Sequence, residues 1–102
     1  MTMWRVEIHP LVWKEDFARF DQHARQRITK AIRRKLTTNP TAFGKPLSGL
    51  LRGYWRLREG PYRIIYRIER GHLLVLVIKA GIRRDDEIYL EAIPRLRKLG
   101  FL

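Results

Sequence analysis

The run Leu73–Ala80, LLVLVIKA, limits the possible fold more than any other stretch of the chain. It is apolar at both parities until Lys79. A strand built from it has two faces to bury, which predicts a central place in a sheet covered on both sides. Upstream, Tyr62–Glu69 alternates, with Tyr62, Ile64, Tyr66 and Ile68 on one face and Arg63, Ile65 and Arg67 on the other. Glu59-Gly60-Pro61 turns the chain back to a strand over Tyr54–Arg58, and Arg70-Gly71 predicts a hairpin turn. Tyr54–Ala80 therefore reads as three consecutive antiparallel strands.

The flanking segments supply cover for such a sheet. Trp4, Val6 and Ile8 alternate with Arg5, Glu7 and His9, the pattern of a half-buried strand. Pro10 suits a first helical position, and Leu11, Val12, Phe17 and Phe20 predict a short amphipathic helix ending near Phe20. Asp21 can cap a second helix to about Thr37, whose stripe is Ala24, Ile28, Ala31, Ile32 and Leu36. Arg25, Arg27, Lys30, Arg33, Arg34 and Lys35 take its other faces. Asn39-Pro40 ends it, and residues 38–53 read as a loop. Gly81 ends the apolar strand. Asp85, Asp86 and Glu87 are placed to cap and charge-balance a last helix, with a kink expected at Pro94. The order βααβββα predicts an α+β fold: an antiparallel sheet packed by two N-terminal helices and a short C-terminal helix. Residues 1–102 read as a single domain.

Charge is the second constraint. Lys and Arg total 22 against 10 acids, a formal net charge of +12 with a pI near 11.1. The excess peaks in residues 45–84, with ten basic and two acidic side chains, eight of the ten being arginine. Such an excess predicts a polyanionic partner, either nucleic acid or an acidic protein. Because arginine forks phosphate in two places and stacks on bases, the bias suits RNA or DNA better than a membrane surface. Cysteine is absent, which removes disulfides and thiolate metal sites and suits a reducing compartment. No apolar run approaches membrane length and the N-terminal residues lack a secretory core, so a cytoplasmic location is expected.

The catalytic options narrow by residue type. His9, His23 and His72 stand apart with no second ligand at metal spacing, so neither a metal nor another cofactor is expected. Ser48 is the only serine and lies in the loop, which argues against a serine nucleophile. What remains is a cationic constellation with a phenol: Arg56 and Arg63 on neighbouring strands, Arg83 and Arg84 after the last strand, and Tyr89 in the last helix. Arginines suit the charge of a pentacoordinate phosphorane, and dense positive charge would lower the tyrosine pKa toward phenolate. Trp55, Tyr62 and Tyr66 read as packing aromatics.

The run KPLSGLLRGYWRLREGPYRIIYRIERGHLLVLVIKAGIRRDDEIY resembles the RelE family of bacterial and archaeal toxin–antitoxin toxins over residues 45–89. The matching features are the K-P-L loop, the Y-W-R-L-R strand, G-x-Y-R-I-I-Y, and a hydrophobic strand closed by G-x-R-R-D-x-x-I-Y. The resemblance implies a metal-independent mRNA endoribonuclease working in the ribosomal A site. There the 2′-OH attacks the adjacent phosphate and leaves a 2′,3′-cyclic phosphate and a 5′-OH. It places Arg56, Arg63 and Arg83 on phosphate and transition-state stabilisation and Tyr89 on stacking, orienting or accepting a proton. Arg58, Lys45, Arg84 and Tyr54 are expected to bind substrate around them. Tyr54 stands where well-studied members carry a second basic residue, with Arg58 or Lys45 as its substitute. The resemblance further implies a cognate antitoxin with an acidic amphipathic segment, and operator DNA contacted only through that antitoxin. Two other readings stay open: the related ParE branch, which poisons DNA gyrase, and a non-enzymatic RNA-binding module.

Overall fold

The computed structural model describes residues 3–102, so the first two positions of the domain expected over 1–102 lie outside it. Five strands form one sheet in the order β1-β5-β4-β3-β2. They are β1 (Arg5–Ile8), β2 (Lys45–Pro46), β3 (Tyr54–Glu59), β4 (Tyr62–Glu69) and β5 (Leu74–Gly81). The helices are an N-terminal segment through Val12–Asp16 and Phe17–Arg19, α1 (Gln22–Ala31) continuing through Ile32–Leu36, the single turn α2 (Pro40–Phe43), and α3 (Asp85–Lys98).

The apolar run takes the central position its composition requires, since β5 lies between β1 and β4. Its neighbours differ from the expected all-antiparallel pattern. β4 pairs with β5 antiparallel, but β1 joins parallel, Arg5 opposite Leu74 and Ile8 opposite Val77. The helices between β1 and the hairpins make this possible, because they carry the chain far enough to return in the same direction. β1 ends before β5 does. Beyond it, His9 N–H donates to the Val77 carbonyl at 2.9 Å and the Asp16 carboxylate accepts the Ala80 N–H at 2.9 Å.

Each sheet face builds a core. On one, α1 lays its stripe of Ala24, Ile28, Ala31, Ile32 and Leu36 on Leu57, Ile64, Tyr66 and Val77. Asp21 caps α1 as its sequence position predicts, accepting the Ala24 N–H at 2.8 Å. On the other face α3 lays Ile88, Ala92 and Leu96 over Tyr54, Ile65 and Ile78. Each fully buried aliphatic in these layers stabilises by roughly 1.5–3 kcal/mol.

Several local expectations are corrected. Residues 38–53 are not a plain loop: they contain α2, β2 and a tight turn at Gly49–Leu51. Tyr66 reaches under this segment to donate to the Pro40 carbonyl at 2.5 Å, and a Cβ on Gly44 would lie 1.8 Å from that hydroxyl oxygen. The β4–β5 link is not a two-residue hairpin. It is a helical turn at Arg70–His72 followed by Leu73 in the left-handed region at φ 49°, so β5 starts at Leu74. Pro94 leaves α3 unbroken. It lies on the exposed side of the helix, where water can take up the carbonyl that its missing N–H would have engaged.

Candidate phosphate-binding site

The β3–β4 hairpin sets the register of the site. Arg58 pairs directly with Arg63, and Arg56 pairs with Ile65, so the three arginines share the sheet face over which α3 starts. Lys45, opposite Arg56 on β2, extends this basic row toward the sheet edge and is exposed.

The arginines converge on one carboxylate, Asp85. Arg63 Nε donates to Oδ1 at 2.6 Å, Arg56 Nη1 to Oδ2 at 2.7 Å, and Arg58 Nη2 to Oδ2 at 3.4 Å. The opposite edge of Arg63 is fixed by Nη1 bonds to the carbonyls of Gly60 at 2.8 Å and Tyr62 at 3.0 Å. Arg56 Nε is buried without a partner, so the cluster offers more N–H donors than Asp85 uses. Asp85 does not serve as the expected helix cap. The capping position is Arg84, which makes no side-chain cap bond, and the Asp85 carboxylate turns to the sheet instead.

Arg63 is 13% exposed and Arg56 11%, because both lie beneath the start of α3. Tyr54, expected to contact substrate, is buried among Leu51, Ile65 and Leu96. α3 covers that end of β3, so the aromatic ring fills core.

The electrostatics of Tyr89 also reverse. Its pKa is raised, first by burial and then by the Asp85 charge, against the lowering effect of Arg56 and Arg58. Asp85 neutralises the positive field that was expected to favour the phenolate. Burial acts to raise the pKa of Asp85 itself, but the Arg63 hydrogen bond and the charges of Arg56, Arg58 and Arg63 outweigh it and hold the carboxyl below its ordinary value.

Arg83 and Arg84 lie beside this cluster rather than in it. With Arg63, Pro61, Ile82 and Glu87 they line an open cleft of about 340 Å³. Arg83 is half exposed and held by Glu91 at 3.0 Å, and Arg84 is 80% exposed beside Glu87 at 3.2 Å. Arg83 also meets a buried ion network with no counterpart among the sequence expectations. Asp16, 3% exposed, binds Lys79 Nζ at 3.0 Å and Arg95 Nη1 at 2.5 Å, Arg95 Nη2 binds Glu15 at 2.8 Å, and Lys79 reaches Glu91 at 3.4 Å. Lys79 was the sole signal, a charge ending an otherwise apolar strand. Among the described residues, no group of three or more His, Asp or Glu side chains is placed to hold a metal ion.

The family described as the ParE toxin of the type II toxin–antitoxin system, parDE, has a model that matches residues 6–87. The chain belongs to this family. It is thus a toxin-type chain of the RelE/ParE superfamily, and the α+β architecture read from the sequence is the one its relatives adopt. Toxin RelG of Mycobacterium tuberculosis (strain ATCC 25618 / H37Rv) is 38% identical over 50 residues, covering 49% of this chain and 58% of the relative. Toxin RelE of the same organism is 42% identical over 48 residues, covering 47% and 50%. The chain thus spans little more than half the length of the curated relatives it matches. Among solved structures, the toxin in the toxin–antitoxin complex RelBE2 from Mycobacterium tuberculosis superposes with a TM-score of 0.75 at 25% identity, over 79% of this chain and 99% of that one. The archaeal RelE–RelB complex from Pyrococcus horikoshii OT3 gives 0.64 at 27%, over 83% and 99%.

Proposed function

We propose that this chain is the toxin of a type II toxin–antitoxin pair and acts as a ribosome-dependent, metal-independent mRNA endoribonuclease in the cytoplasm. The observation that carries the reading is the convergence of Arg56, Arg58 and Arg63 on a single anion beside Tyr89. Three guanidinium groups around one anionic group make a site for a phosphodiester, whose two non-bridging oxygens match the paired carboxylate oxygens.

In the proposed reaction the 2′-OH oxygen bonds to phosphorus and the P–O5′ bond breaks, giving a 2′,3′-cyclic phosphate and a 5′-OH. The 2′-OH proton leaves to solvent and the 5′ oxygen takes one up. Arg56 and Arg63 hold the non-bridging oxygens as negative charge builds, and Arg83, across the cleft from Arg63, stabilises the departing side. Tyr89 stays protonated at neutral pH and orients or stacks the nucleotide rather than serving as base. Exposed Arg58, Lys45 and Arg84 hold flanking phosphates. The net charge of +12 steers the chain onto ribosomal RNA. It equally favours an antitoxin with an acidic amphipathic segment, through which alone operator DNA would be reached. The complexes formed by the relatives RelBE2 and the archaeal RelE–RelB support that partner.

The family description favours a second reading, a ParE-like gyrase poison. Inducing the chain in cells and mapping mRNA 5′ ends separates the two. Cleavage within translated codons is expected; intact messages with accumulating double-strand DNA breaks would overturn the nuclease reading. Arg63→Ala that still cuts mRNA would overturn the assignment of the site.

A further inference from the structure

The arginines required for substrate phosphate are already occupied. Asp85 places one oxygen on Arg63 at 2.6 Å and the other on Arg56 at 2.7 Å, as a phosphodiester would place its two non-bridging oxygens. A purely architectural ion site in this fold looks different. Asp16 is 3% exposed, sealed by Lys79 and Arg95, and bonded to the Ala80 backbone. Asp85 is 27% exposed and makes no cap bond to its own helix. The three residues that lead into it, Ile82, Arg83 and Arg84, are all exposed. A side-chain rotation at the first turn of α3 would free both guanidinium groups without unfolding the helix. The unpartnered Arg56 Nε shows that one carboxylate leaves part of the donor set unused.

We propose that Asp85 is a built-in competitor for the phosphate site, an internal anion that a substrate phosphodiester must displace. The inference rests on reading Arg56 and Arg63 as phosphate ligands. It supplies a selectivity device. A lone RNA phosphate gains little by exchanging with a tethered carboxylate already in place, because only the difference between the two states drives the exchange. An RNA held by many other contacts can displace it. The internal anion therefore biases the site against free RNA and toward a large assembly that supplies those contacts.

The test is binding of a dinucleotide with one phosphodiester and a 2′-deoxy sugar, which cannot be cleaved, to the full chain. Asp85→Asn is expected to bind it at least tenfold more tightly than the unaltered chain. Asp86→Asn removes the same charge from an exposed neighbour whose ion pair is with Arg84, outside the Arg56–Arg63 pair, and is expected to change affinity less than twofold. A folded Asp85→Asn variant with unchanged or weaker affinity overturns the proposal. Equal gains in both variants also overturn it, since net charge alone would then account for them. Should Asp85→Asn not fold, the carboxyl carbon of Asp85 can be followed by NMR in the unaltered chain. Saturating dinucleotide, which stays anionic in acid, is expected to raise the Asp85 titration point, and an unmoved titration overturns the proposal. Neither measurement requires cleavage. A tenfold gain without any mRNA cleavage would leave the competitor standing and sink the nuclease, and the reverse pattern would do the opposite.

Discussion

Arg63 Nε and Asp85 Oδ1 lie 2.6 Å apart although 22 residues separate them in sequence, one on β4 and the other in the first turn of α3. The same guanidinium is tied to the Gly60 and Tyr62 carbonyls, so it is rigid before any ligand arrives. Arg63→Ala is expected to reduce mRNA cleavage by at least a hundredfold while costing about 1–3 kcal/mol of stability, because Arg56 still pairs Asp85. Primer-extension counts of 5′ ends and urea unfolding read the two effects separately. A variant that unfolds outright would contradict this division.

Tyr89 is expected to matter through its ring more than its hydroxyl. Since its pKa is raised by burial and by Asp85, the phenol stays protonated across the neutral range and gives the rate no ionisation step there. Tyr89→Phe should lower cleavage tenfold or less, and Tyr89→Ala by more than a hundredfold. A pH–rate profile rising between pH 6 and 9 in the unaltered chain and flat in Tyr89→Phe would show that the phenolate acts as base after all.

Acid should destabilise the fold late. The carboxyls of Asp85, Glu59 and Glu15 are lowered from their ordinary values, each against an opposing burial effect, by Arg63 and its neighbours, by Lys35 and Arg27, and by Arg95 with Lys98 and Lys79 respectively. A group with a lowered folded pKa contributes stability fully above its unfolded pKa and loses it as pH falls through the folded value. Melting temperature should therefore be level from neutral pH down to about pH 5 and fall below about pH 4, the ordinary carboxylate range. A midpoint that begins to fall near pH 6 would show that these carboxylates are not the cause.

The buried network predicts the largest single loss. Asp16→Ala leaves Lys79 and Arg95 without their shared anion, and breaking a buried pair costs about 3–5 kcal/mol. Asp16→Asn keeps an acceptor for the Ala80 N–H and should cost less. Denaturant midpoints of the two variants give the comparison, and equal losses would argue against the charge as the cause.

Gly44 and Tyr66 should couple. Gly44→Ala would press a methyl onto the Tyr66 hydroxyl at 1.8 Å and is expected to cost at least about 1–3 kcal/mol. Tyr66→Phe loses the bond to the Pro40 carbonyl but removes the nearest clashing atom. In a double-mutant cycle the pair should therefore lose less than the sum of the singles.

Much of this fold was legible because periodicity is local. The Ala24–Leu36 stripe and the Leu73–Ala80 run each carry their burial in their own spacing, and all but the exposed first residue of the run, Leu73, are buried or packed against the core. Asp85 sits in the first turn of α3, as its sequence position predicts, but its carboxylate does not cap the helix. Its true partners on β3 and β4 are set by how α3 packs, which no local pattern records. Tyr54, placed in the site by the resemblance, shares the sheet face of Arg56 and Arg58 but is buried, because α3 decides which end of that face meets water. Asp16, Lys79 and Arg95 lie 63 and 79 residues apart along the chain, beyond the reach of any spacing rule.

The parallel seam between β1 and β5 has a kinetic side. Arg5 meets Leu74 across a loop of about seventy residues, whereas β3 and β4 join through a two-residue turn. Closing the longer loop costs more chain entropy and is repaid only once β5 is already paired with β4. β1 is therefore expected to dock last, so amides of Arg5 and His9, bonded across that seam, should gain protection after those of the hairpin in pulse-labelled refolding. Until it docks, β5 presents an unpaired hydrophobic edge, and the refolding chain is open to strand exchange with another copy of itself.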